Sequence, residues 1–144
     1  MEVKNYILGN WVEGEGNEIT FQHAINGETI GKCSSKGLDY EHILRYGREK
    51  GSTALRKMTF QQRGEMLKSL ALYLHKRKDQ FYHLSTATGA TKIDSWIDIE
   101  GGIGNLFANA SLRRQFPDLP YHVDGQAAPL SKNGTFIGHH IMVP

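Results

Sequence analysis

Thr91-Lys92-Ile93-Asp94-Ser95-Trp96-Ile97-Asp98-Ile99-Glu100-Gly101-Gly102-Ile103-Gly104-Asn105-Leu106-Phe107-Ala108-Asn109-Ala110-Ser111 reads as one long helix with two unlike stripes. Thr91 is a good N-cap residue, with an acid three positions on. Trp96, Ile99, Ile103, Leu106 and Ala110 recur at spacings of three and four, which puts them on one apolar face. About a quarter turn away lie Ile97, Gly101, Gly104, Ala108 and Ser111, almost bare of side chain. A helical glycine costs about 1 kcal/mol relative to alanine, so Gly101, Gly102 and Gly104 together cost roughly 3 kcal/mol. Close approach by another backbone would offset that cost, so this helix is expected to be buried on two sides.

Upstream, a partner for the apolar stripe is easily found. Thr59-Phe60-Gln61-Gln62 fits a capping box, and Leu67, Leu70, Leu74, Phe81 and Leu84 then line one face. The pattern predicts a single helix of about 40 Å running to Thr88, with Gly89 as its stop. An earlier helix is expected from Asp39 to Gly51, followed by a turn through Ala54-Leu55. Residues 37–115 contain no proline and form the helical region.

On either side the chain changes character. Residues 1–36 are predicted to make two small hairpins. Tyr6-Ile7-Leu8 and Trp11-Val12 flank a turn at Gly9-Asn10, and Ile19-Thr20-Phe21 returns through Asn26-Gly27 into Thr29 to Ser34. Residues 116–144 hold all four prolines, and Pro117, Pro120 and Pro129 exclude a regular helix there. Asn133-Gly134 is a third hairpin signal. Thr135 to Val143 follows as a strand, with Ile141-Met142-Val143 running into Pro144, and is expected to be a truncation point. The fold class is therefore α+β.

Composition narrows the function classes. A chain of 144 residues suits one domain or a piece of one, and no run approaches eighteen apolar residues. Met1-Glu2-Val3-Lys4-Asn5 lacks the layout of a signal peptide. Cys33 stands alone, which excludes an internal disulfide and agrees with a cytoplasmic setting. The net charge of +2 comes without a basic stripe. His75-Lys76-Arg77-Lys78 is followed at once by Asp79 and reads as a solvated helix face, so neither nucleic acid nor a membrane is an expected partner.

Candidate chemistry mostly fails on spacing. His75 and His83 are two helical turns apart, and His139 and His140 point to opposite faces of a strand, so no metal site is expected. Gly101-Gly102-Ile103-Gly104 lacks the preceding strand and third glycine of a dinucleotide loop, and packing is the better account. Cys33 sits in an apparent strand with no base to activate it. Asp94, Asp98 and Glu100 read as solvated acids near a helix N-terminus. No catalytic, cofactor-binding or metal-binding residue is assigned.

Tyr6-Ile7-Leu8-Gly9-Asn10-Trp11-Val12 resembles the opening "I-x-G-x-W" strand pair of aldehyde dehydrogenases. Ile25-Asn26-Gly27-Glu28-Thr29-Ile30-Gly31 is similar to their "N-P-x-T-G-E-x-I" turn without its proline. Glu49-Lys50-Gly51, Ala54-Leu55-Arg56, Met58-Thr59-Phe60, Met66-Leu67-Lys68, Thr88-Gly89-Ala90-Thr91 and Asp94-Ser95-Trp96 follow in the order found in one subgroup. Asp98 to Gly104 and Ala110-Ser111-Leu112 complete the match. The subgroup is the bifunctional ring-opening enzyme of phenylacetate degradation (PaaZ-like), and the likeness is loosest from Gln115 to Lys132.

The resemblance implies a parent with an NADP-using (or NAD-using) aldehyde dehydrogenase joined to a C-terminal MaoC-like hydratase. The hydratase would open an oxepin-CoA, and the dehydrogenase would oxidise the CoA-linked semialdehyde through a cysteine thiohemiacetal and hydride transfer. The subgroup's nucleophilic cysteine, general-base glutamate, cofactor lysine and Rossmann turn have no counterpart before Pro144, so the chain alone is expected to be inactive. Its helices would pack around a cofactor domain, and the strand Thr135 to Val143 would belong to an oligomerisation arm. Self-association through that strand and the third helix is expected. The competing expectation is a stand-alone, non-catalytic helical assembly or binding module.

Overall fold

A computed structural model describes residues 3–143. The N-terminal part is two separate antiparallel pairs, β1 (Asn5–Ile7) with β2 (Asn10–Val12) and β3 (Ile19–Gln22) with β4 (Thr29–Cys33). Then come α1 (Tyr40–Tyr46), a π-helical stretch Gly47–Ser52, α2 (Thr53–Lys57), α3 (Phe60–His75), α4 (Lys78–Ala87) and α5 (Lys92–Ser111). A 3-10 turn at Leu112–Gln115 leads to β5 (His122–Pro129) and β6 (Ile137–Met142), a third antiparallel pair. This is the expected α+β arrangement. No described helix is long and apolar enough to cross a membrane.

Register corrects the first turn. Ile7 pairs with Asn10 and Tyr6 with Trp11, so the turn residues are Leu8 and Gly9 rather than Gly9 and Asn10. Both have positive φ, +52° and +84°, as a primed two-residue hairpin requires. The second hairpin turns where expected: Gly27 has φ +74°, and the Asn26 side chain accepts from the Glu28 backbone N–H.

Two helix boundaries also differ. Gly51 does not stop the first helix, since backbone from Tyr40 to Lys57 stays helical and ends only where Met58 turns extended. The residues after Gly51 are compatible with a helix, and the π-helical stretch absorbs the glycines at 47 and 51. The long helix from Thr59 is broken at Lys76-Arg77, without glycine or proline. Arg77 stacks its guanidinium on the Tyr73 ring and donates from Nη1 to the Tyr73 carbonyl, 3.3 Å away. Its backbone N–H goes to Leu74 instead, one residue short of the α-helical partner. Gly89, with φ +85°, closes the turn into α5.

Both capping boxes form as expected, Thr59 with Gln62 and Thr91 with Asp94. α5 packs against α3 and α4 through Ser95, Ile99, Ile103, Leu106 and Ala110, of which Ser95, Ile103 and Ala110 are buried. Trp96, expected in that stripe, is 57% exposed. The expectation of burial on the second side fails among the described residues. Nothing lies within 4 Å of where a Cβ would stand on Gly101, Gly102 or Gly104, and Ile97 is exposed. The glycine that permits close approach is Gly64 on α3, facing Ala110 and Arg113.

β6 is shorter than the strand expected over Thr135 to Val143, and it folds back on β5, so the chain provides a partner for one of its edges. The ribbon is bulged between Asp124 and Ala128, where Gly125 has φ +71°. Pro144 lies outside the described residues. The surface totals 10959 Å², against about 7,400 Å² for a compact monomer of this mass. Its buried apolar side chains are Ala71, Ile103 and Ala110, all small or medium in size.

Candidate functional site

The best-formed polar cluster lies between α4 and α5. The break at Lys76-Arg77 lets α4 lie against the first half of α5. Lys78 and Tyr82, four residues apart, then share the face that meets α5. Lys78 Nζ and Tyr82 Oη both donate to Glu100 Oε1, each at 2.9 Å. Ser95 Oγ donates to Ser85 Oγ nearby, also at 2.9 Å. An open groove of about 760 Å³ runs over these groups, with Lys92, His83 and Trp96 on its walls.

Electrostatics shows what the cluster can do. The Lys78 hydrogen bond, then that of Tyr82, holds the Glu100 carboxyl below the usual range. The bond to Glu100 raises Lys78. Desolvation first, then the same carboxylate, raises the Tyr82 phenol. Each group is pushed further into its ordinary charge state at neutral pH, whereas a general acid or base has a pKa near the working pH. The cluster is therefore a tie between helices. Asp94 is lowered as well, by the hydroxyl and then the backbone of Thr91, as part of the cap.

The other sequence candidates remain apart. Cys33 stands half-buried on β4 opposite Ile19. His75 ends α3 and His83 lies on α4, and His140 pairs with Asp124 across the ribbon at 3.1 Å. No group of three metal-ligating side chains occurs among the described residues. Gly101-Gly102-Ile103-Gly104 lies inside α5, so the run is no strand-to-helix loop and does not fit a dinucleotide pyrophosphate. Glu100, read from sequence as a solvated acid, is instead the hub of the cluster. Lys78 and Tyr82 at helical spacing were the only signal, and it acquires meaning only once α4 lies against α5.

At the other end of α5, Arg113 Nη2 bonds Glu65 Oε1 at 2.6 Å, and Nη1 donates to the Ala110 carbonyl. Gln61 Nε2 donates to the carbonyls of Arg113 and Phe116. Phe60 stacks on Phe116, and the Arg63 guanidinium lies 4.4 Å from the Phe60 ring centroid. These contacts fasten the start of α3 to the segment after α5. They form a structural clamp without reactive chemistry.

Hairpins at the N-terminus, a capped helical layer and a C-terminal ribbon are the features that the resemblance led one to expect. The sequence profile of the aldehyde dehydrogenase family matches residues 11–135, and the chain belongs to that family. Over 145 aligned positions it is 28% identical to the 3,4-dehydroadipyl-CoA semialdehyde dehydrogenase of Aromatoleum evansii. The alignment takes in the whole chain but 28% of that relative, so the chain spans little more than a quarter of the relative's length.

Proposed function

We propose that this chain is the N-terminal section of an NADP-dependent dehydrogenase that oxidises a CoA-linked semialdehyde in phenylacetate catabolism. A ring-opening hydratase follows in the same polypeptide, and the setting is cytoplasmic. The observation that carries the reading is the end-to-end match to a CoA-semialdehyde dehydrogenase of which the chain spans only 28%. The order of motifs from Glu49 to Leu112 supports the ring-opening subgroup.

Within that enzyme the chain is scaffold. The Glu100 tie and the Arg113 clamp hold α3, α4 and α5 in one layer, and the reacting groups come from elsewhere in the polypeptide. The β5–β6 ribbon leaves Val123, Phe136, Ile137 and Ile141 exposed beside unpaired strand edges, which suits pairing with a second copy. Reduction of NADP against NAD by the complete polypeptide, with 3,4-dehydroadipyl-CoA semialdehyde as substrate, tests the reading. NADP-linked oxidation is expected, and no oxidation with either nucleotide would overturn it.

A further inference from the structure

We infer that the exposed face of α5 along Ile97, Gly101, Gly104 and Ala108 is the seat of a further layer of the same polypeptide, packed at close backbone distance. The inference rests on the reading of the chain as a section of a longer dehydrogenase. Three observations combine. Gly101 and Gly104 have nothing within 4 Å of a would-be Cβ, so no contact inside residues 3–143 accounts for glycine in the middle of a twenty-residue helix. Ile93, Ile97 and Leu112, on the same side, are exposed apolar residues that extend the bare strip at both ends. The chain also carries about 3,500 Å² more surface than a compact monomer of its mass.

That excess selects the occupant. A standard interface covers about 800 Å² on each partner, so one second copy on one patch would leave most of the excess uncovered. The exposed apolar side chains also lie on separate elements, Tyr40 and Leu44 on α1, Trp96 and Ile97 on α5 and Ile141 on β6. A continuation of the chain is able to cover several faces at once, and about three quarters of the relative's length lies outside the match. The element seated on α5 presents large apolar side chains to a groove floored by glycine, since only small residues let two backbones come that close.

The test is a reversal of sign. In the 144-residue chain, Gly101→Ala with Gly104→Ala raises the urea midpoint, by roughly 0.5 M, because alanine is the better helix former and meets open space. In the complete polypeptide the same pair lowers the midpoint, because each methyl group meets the seated layer. Carbene footprinting of Ile97 supplies a readout independent of stability: strong labelling in the 144-residue chain and protection in the complete polypeptide. Stabilisation in both contexts, equal labelling in both, or a reading frame that closes at residue 144 would overturn the inference. So would a defined dimer of the 144-residue chain that Gly104→Leu dissociates, since that assigns the face to a second copy. Semialdehyde oxidation by the complete polypeptide is measured separately, so failure of this packing is distinguishable from failure of the proposed activity.

Discussion

Gly64 on α3 faces Arg113 so closely that a Cβ on the glycine would lie 2.6 Å from Arg113 Cδ and 2.7 Å from its Cβ. The Ala110 carbonyl oxygen would be 3.0 Å away. Arg113 Cδ belongs to a flexible side chain, but its Cβ and the carbonyl move only with the backbone. This glycine sets the distance between α3 and the end of α5.

Gly64→Ala is therefore expected to destabilise the chain, although alanine gains about 1 kcal/mol in helix propensity. Overpacking of this kind costs about 1–3 kcal/mol, which exceeds or cancels the gain. Urea denaturation of the variant checks the sign, and a higher midpoint would contradict the packing described.

Glu100→Gln removes the charge to which Lys78 and Tyr82 are tied. Because the folded carboxyl is held below its ordinary value of 4.5, its contribution is present above that value and lost as pH falls through the folded pKa. Lys78, raised above 10.5, contributes fully below that value and loses its contribution only as pH climbs through its own folded pKa. The parent chain should thus be more stable than Glu100→Gln at neutral pH, with the gap closing toward about pH 3. Urea midpoints of the two proteins across that range are the measurement, and parallel pH profiles would refute the tie.

Exposed Ile141 and Val143 beside an open strand edge should drive association of the 144-residue chain. Light scattering is expected to show species larger than a monomer at high concentration, with Ile141→Lys shifting them toward monomer. A clean monomer of the parent chain, or association indifferent to Ile141→Lys, would count against the ribbon as a pairing surface.

What could be read from the sequence divides along physical lines. Local chemistry was legible: Thr59 and Thr91 cap because a hydroxyl and an amide or carboxylate three residues later satisfy each other's neighbours. Gly27, Gly89 and Gly134 have the positive φ that their turns demand. The break at Lys76-Arg77 was not legible, because it depends on a side chain taking the Tyr73 carbonyl, for which no residue type is diagnostic. Gly64 escaped notice because one glycine among helix formers shows its purpose only when Arg113 is brought beside it. The glycine stripe of α5 was visible from residue spacing, yet its partner is absent from residues 3–143. Glu100 looked like a solvated acid until α4 placed Lys78 and Tyr82 on it.

The most direct measurement is nicotinamide reduction with a CoA-linked semialdehyde, made side by side on the 144-residue chain and on the complete polypeptide. The account predicts turnover by the complete polypeptide and none by the 144 residues, whose assigned chemistry ends with helix ties. Turnover by the 144 residues unaided, or its absence from the complete polypeptide, would contradict it.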